Sequence, residues 1–169
     1  GIDLHSSTAS KIYGISEENV DKDKRRIAKA VNFGIVYGMS AWGLAEELKI
    51  PPVVASDFIN RYFEIYPEIK IYLDEVVSTA KQSGYTETIF NRRRYMPEIN
   101  SSNGALRQFA ERTAKNAPIQ GAAADVIKLA MIKVSDKFEE LGLKSKLIAQ
   151  VHDELVVDAT ADEIKIDKK

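Results

Sequence analysis

The chain has 169 residues, 44% of them hydrophobic and 29% charged, which supplies the core of one domain or of two small ones. Nine glycines and five prolines are too few for a collagen-like or low-complexity chain, and zero cysteines exclude a disulfide framework or thiolate metal site and fit a reducing cytoplasm. The net charge of −1 offers no bulk attraction to nucleic acid, and no apolar run or charged-then-apolar leader suggests a membrane partner or secretion.

Charge is instead local. Lys22, Lys24, Arg25, Arg26 and Lys29 crowd one segment and Arg92, Arg93 and Arg94 another, a pattern that also fits ordinary solvated faces. The chain opens Gly-Ile-Asp and closes IKIDKK inside what reads as an opening helix, so it reads as a piece of a longer protein.

In chain order, Thr8 to Tyr13 reads as a short helix stopped by Gly14. Asn19, Asp21 or Asp23 caps the next, which runs through Ile27, Val31 and Ile35 to Gly38. Ser40 caps a short helix ended by Pro51-Pro52, and residues 53–64 carry Val54, Phe58, Tyr62 and Phe63 at helical spacing. Tyr66-Pro67 breaks that pattern before a further helix to Gly84. TETIF, a turn at Asn91-Arg92 and RRYMPE predict a β-hairpin. A long helical pattern starts at Ser102 or Asn103, is interrupted at Pro118 and resumes to Gly142. KLIAQV and LVVDA are two short strands separated by His152-Asp153-Glu154. The fold class is α+β, mostly helical, in two parts that meet near residue 102.

Arg25, Lys29, Phe33 and Tyr37 are each four residues apart. Each step of four advances only about 40° round a helix, so the four share one stripe, cationic first and aromatic after. Cations near a helix N-terminus oppose the macrodipole, at about 0.3–1 kcal/mol each, and an anion landing there would reverse that sign. Cations for phosphates followed by a ring for a sugar or base would measure out one nucleoside triphosphate. Gly34 inside this helix costs about 1 kcal/mol against alanine, which predicts a close approach to its backbone. An amphipathic helix with scattered charge satisfies the same spacing.

Asp153 and Glu154 sit at the tip of the second hairpin, where a turn lets neighbouring carboxylates project together. Hard oxygen ligands suit Mg²⁺, and two such ions would activate a hydroxyl and stabilise the charge of an in-line transfer at phosphorus. A plain polar hairpin tip is the alternative. Arg112, Asn116 and Gln120 repeat the four-residue spacing; their donors suit the minor-groove acceptors shared by every base pair, or a polar helix face. Trp42, Tyr62 and Tyr66 read as core or interface aromatics.

RRIAKAVNFGIVYGMS closely resembles the second signature motif of family A DNA polymerases, the DNA polymerase I type. QVHDELV resembles the third, and ERTAKNAPIQGAAADVIK is close to the pattern between them, so the resemblance runs over nearly all of residues 3–158. It implies a fingers subdomain at 3–102 and part of a palm at 103–169. It implies that Arg25 and Lys29 hold the triphosphate, with Lys29 also serving catalysis, that Phe33 packs on sugar and base, and that Tyr37 lies by the template base. A ring without a hydroxyl at position 33 is linked in the family to rejecting sugars that lack the 3′-OH. In Asp3-Leu4-His5, which matches the family's Asp-Ile-His segment, the resemblance brings His5 to the triphosphate.

It further implies primer-template contacts from Arg112, Asn116, Gln120, Tyr37 and His152, and metal ligation by Asp153 with Glu154 a lesser partner. The implied activity is template-directed DNA synthesis with two Mg²⁺ ions, by a monomer acting on deoxynucleoside triphosphates at the bacterial nucleoid. The family's first motif, with a second metal-binding Asp and an acidic steric gate, is absent here, as is the thumb, so the piece alone is expected to be inactive. Single-subunit RNA polymerases share a related helix and a His-Asp but usually lack the following Glu, so Glu154 favours DNA. A non-catalytic nucleotide- or nucleic-acid-binding fragment is the third reading.

Overall fold

A computed structural model describes residues 3–164. The chain divides into two compact units, residues 1–119 and 120–169. The opening helix read at IKIDKK lies, beyond Ile164, outside the described residues.

In the first unit, helix α1 (Leu4–Tyr13) begins four residues earlier than the apolar pattern suggests, because the Asp3 carboxylate accepts from the amides of His5 and Ser6. Gly14, at φ 66°, ends it. Asp21 caps α2 (Lys22–Val36) by accepting from the Lys24 amide, and Ser40 caps α3 (Ala41–Leu48) by accepting from Gly43. That third helix is stopped by Lys49 at φ 57°, not by the prolines. Pro52 instead opens α4 (Pro52–Ile65) and Pro67 opens α5 (Pro67–Ser83), since a first-turn proline forfeits no intrahelical bond.

Ile12, Val31, Ile35, Leu44, Leu48, Tyr62 and Leu73 form the main core, drawn from α1 to α5. Leu44 is fully enclosed, a burial that contributes about 1.5–3 kcal/mol. Tyr62 and Tyr66 belong to this packing, but Trp42 is 64% exposed and is no core residue. The first hairpin is β1 (Tyr85–Glu87) paired antiparallel with β2 (Arg93–Tyr95). Its first strand is shorter than TETIF suggests, because Thr88 to Arg92 close the turn on their own backbone bonds, with Asn91 at φ 62°.

Asn103 starts α6 (Gly104–Glu140), its side chain accepting from the amides of Ala105 and Leu106. Ala110, Ala114 and Ala117 of that helix bury against Ala80, Met96 and Ile99, small side chains that permit close packing. The expected interruption at Pro118 does not occur, and α6 is continuous through it. A proline removes one N–H bond and crowds the carbonyl four residues back, which costs about 3 kcal/mol, but the residue here is buried within a helix that runs on from Gly104 to Glu140.

The second unit holds the remainder of α6 and a hairpin of β3 (Lys146–Val151) and β4 (Glu154–Asp158), with a register irregularity between Leu147 and Ala149. The Glu163 carboxylate accepts from the amides of Lys144 and Ser145 and from the Ser145 hydroxyl at 2.7–3.1 Å, tying down the segment that enters β3. Backbone hydrogen bonds and hydroxyl donation hold its carboxyl down at about 2. Among the described residues, no helix is long and apolar enough to cross a membrane.

Candidate active site

Helix α2 turns two different faces outward and inward. Ala28, Val31 and Ile35 are buried, whereas Arg25, Lys29, Phe33 and Tyr37 are all exposed. The rings form a row: Phe33 lies 6.3 Å from Tyr37 at an interplanar angle of 19° and 5.9 Å from His5 of α1. The Lys29 ammonium sits 5.8 Å from the Phe33 ring centre. Lys29, Phe33, Tyr37 and His5 therefore form one continuous surface within the first unit.

The cations at the start of α2 are not left to oppose the helix dipole alone. Lys24 pairs with Asp21 and Arg26 with Asp23, and the Arg25 Nε donates to Asp3 at 2.7 Å. This corrects the inference from the dipole: the basic run has local counter-charges, so it does not by itself demand an anionic ligand. The Asp3 carboxyl is held well below the usual carboxylate range, chiefly by Arg25 and then by Ser6 and His5.

Gly34 also reads differently in three dimensions. A β-carbon there would meet Met39 and Leu44 at 3.6–3.8 Å, an ordinary contact, so no ligand approach is needed to explain it. Gly38 is the tighter position. It has φ 63°, and a β-carbon would stand 3.3 Å from the Arg112 Cα.

That approach creates a second feature, an open hollow of about 320 Å³ lined by Tyr37, Arg94, Phe109, Arg112, Thr113 and Asn116. The Asn116 amide donates to the Val36 carbonyl at 3.4 Å, satisfying a group at the end of α2. Two of these side chains, Arg112 and Asn116, carry the spacing expected for nucleic-acid contact, and Tyr37 is the end of the α2 stripe. Arg94, Phe109 and Thr113 are additions; the triple-arginine run pointed towards Arg94, but nothing local marked the other two. Of its neighbours, Arg93 stacks 4.4 Å from the Tyr85 ring and pairs with Glu87.

In the second unit, His152 and Asp153 form the turn of the hairpin, and Glu154 is the first residue of β4, opposite Val151. His152 supplies the positive φ of 55° that a two-residue turn requires, and the Gln150 side chain donates to its carbonyl at 2.8 Å. Gln150 is thus a brace for the turn that carries the carboxylates. Asp153 and Glu154 are both exposed, and among the described residues no three His, Asp or Glu side chains gather into a metal-holding group. Two carboxylates still suit Mg²⁺, which keeps several waters and takes much of its coordination from substrate phosphates. Gln120, the last of the four-spaced polar residues on α6, falls in the second unit.

The family model described as DNA polymerase family A matches residues 1–169, and the chain belongs to that family. It is 52% identical over 168 residues to DNA polymerase I of Caldicellulosiruptor bescii, covering 99% of this chain and 20% of that protein. It is 53% identical over 165 residues to DNA polymerase I of Geobacillus stearothermophilus, covering 98% and 19% respectively. The chain therefore spans about a fifth of the length of these curated relatives. Among solved structures, the POL domain of Pol1 from M. smegmatis, in complex with DNA primer-template and dNTP, superposes with a TM-score of 0.92 at 44% identity, covering 98% of this chain and 29% of that one.

Proposed function

We propose that this chain supplies the nucleotide-gripping and part of the metal-binding machinery of a DNA-directed DNA polymerase that extends a primer 3′-hydroxyl with deoxynucleoside triphosphates. The observation that carries the reading is the exposed row of Arg25, Lys29, Phe33, Tyr37 and His5, set on a helix whose other face is buried. Arg25 and Lys29 bind the triphosphate as fork and point charges respectively, Phe33 packs on sugar and base, and His5 donates to a phosphate oxygen. Asp153, with Glu154 as its lesser partner, would hold a Mg²⁺ ion, which would supply Lewis acidity for phosphoryl transfer. Tyr37, Arg112, Asn116, Gln120 and His152 contact primer-template. The residues 3–102 and 103–169 are read as fingers and partial palm of a monomeric enzyme working at the nucleoid.

We infer that the 169-residue chain alone binds nucleotide weakly and incorporates none, because Asp153 and Glu154 are too few to hold two ions. Mg²⁺-dependent primer extension tests both statements. The polymerase containing this chain should extend with deoxynucleotides and discriminate against ribonucleotides, and Asp153→Ala should abolish extension. A ribonucleotide preference would move the chain to an RNA-synthesising enzyme, and extension by the isolated chain would sink the second statement.

A further inference from the structure

Asn32 lies on α2 one residue before Phe33, and no role follows for it from the four-residue stripe. Its side chain reaches α1. The Asn32 Nδ2 is 3.1 Å from the His5 Nδ1 and 3.2 Å from the Thr8 Oγ1. Thr8 is fully buried, and its hydroxyl donates to the Leu4 carbonyl at 2.8 Å. The same hydroxyl also lies 3.3 Å from the Asn32 Oδ1, but it has one hydrogen, and with that hydrogen on the shorter contact to Leu4 the Thr8 oxygen accepts from the Asn32 Nδ2. The Asn32 amide then has one N–H on Thr8 and its second on His5. The chain of bonds fixes a direction: Asn32 donates, and the His5 Nδ1 accepts.

We propose that Asn32, anchored by Thr8, is a positioning residue that selects the tautomer and ring orientation of His5 for the incoming triphosphate. An imidazole whose Nδ1 is an acceptor carries its hydrogen on Nε2, so the free nitrogen is a donor. A phosphate oxygen only accepts. Were Nδ1 to carry the hydrogen, the neutral ring would show a lone pair to an anion, and the contact would become repulsive. The Phe33 ring, 5.9 Å away and tilted by 44°, bounds the imidazole on another side. Asn32 therefore orients the ring through its edge while touching no substrate itself. The inference rests on the proposed triphosphate contact of His5.

The test is a double-mutant cycle in the polymerase containing this chain, reading KM for the deoxynucleotide and kcat separately. Both His5→Ala and Asn32→Ala should raise KM by about tenfold, the size of one lost bond to a charged group, with kcat changed much less. The double variant should be no worse than His5→Ala alone. Asn32→Leu, which removes the donor at similar volume, should behave like Asn32→Ala. Thr8→Val should raise KM by a smaller factor and Thr8→Ser should restore it. If Asn32→Ala still raises KM in the His5→Ala background, Asn32 acts through the fold and the inference fails. If Asn32→Leu retains the parental KM, donation from Asn32 plays no part in placing the ring and the inference likewise fails. If His5→Ala leaves KM unchanged, the proposed contact of His5 with the triphosphate is what fails.

Discussion

Gly38 and Arg112 are 74 positions apart in the chain, yet a single β-carbon added to the first would stand 3.3 Å from the Cα of the second. Gly84 has an even larger positive φ, 80°, but opens onto free space. The pair separates two costs that are usually confounded. Gly84→Ala should destabilise by about 1 kcal/mol, the conformational penalty alone. Gly38→Ala should cost about 1 kcal/mol more, because α6 must shift or the turn after α2 must open. Denaturant unfolding of the two variants checks the order, and equal losses would mean that the approach of α6 is not tight.

The kinetic signatures of the two charged groups should differ. Lys29→Ala should raise KM for the deoxynucleotide by about ten- to hundredfold with a smaller effect on kcat, since a charge-assisted bond is lost in ground and transition states alike. Phe33→Ala should act in the same sense. Asp153→Ala should chiefly abolish kcat. Single-turnover measurements distinguish them, and matching effects from Lys29 and Asp153 would count against the assigned roles.

Glu163 gives the second unit an acid limit. Its carboxyl is at about 2 in the folded chain against an ordinary 4.5, so the folded state binds fewer protons through that range. Its stabilising contribution is therefore complete above about pH 4.5 and is lost as pH falls towards 2. The protection of the Lys144 and Ser145 amides, taken relative to their intrinsic exchange rates, should fall over that window. Glu163→Gln should show lower protection at neutral pH and little further change of protection across the window.

His152 combines a backbone task with a proposed contact, and two substitutions separate them. Glycine accepts φ 55° freely, so His152→Gly should keep the hairpin while removing the ring, and primer-template affinity should fall without loss of stability. His152→Val should strain the turn by about 1–2 kcal/mol. Unchanged DNA affinity in the glycine variant would leave His152 with the turn alone.

Local chemistry was legible in sequence where it is local in space. The stripe from Arg25 to Tyr37, the caps at Asp21, Ser40 and Asn103, and both hairpins follow from spacing and side-chain type. The start of α1 at Asp3 was hidden because a capping carboxylate, not apolar spacing, sets it. Pro118 misled because the cost of a proline is finite and surrounding packing can absorb it. What could not be read were pairings made by tertiary packing. His5 meets Asn32 across 27 positions, Asp3 meets Arg25 across 22, and Arg94 reaches the same hollow as Arg112 from strand β2 of a separate hairpin. These contacts decide which polar side chains are engaged, and residue type alone does not.

The ion pair between Asp3 and Arg25 changes the thermodynamic character of the proposed binding event. A triphosphate that takes Arg25 does not meet a bare guanidinium; it displaces a carboxylate, and one anionic partner is exchanged for another. Added salt weakens the incoming contact and the outgoing one together, so this arginine should contribute less to the ionic-strength dependence of KM than Lys29, whose ammonium rests on a ring. Asp3→Asn keeps an acceptor for the cap and removes the competitor, so it should lower KM at low salt and steepen its rise with ionic strength. The first residue of the described chain would then act as a built-in counterion, setting how strongly the nucleotide must compete for its own binding site.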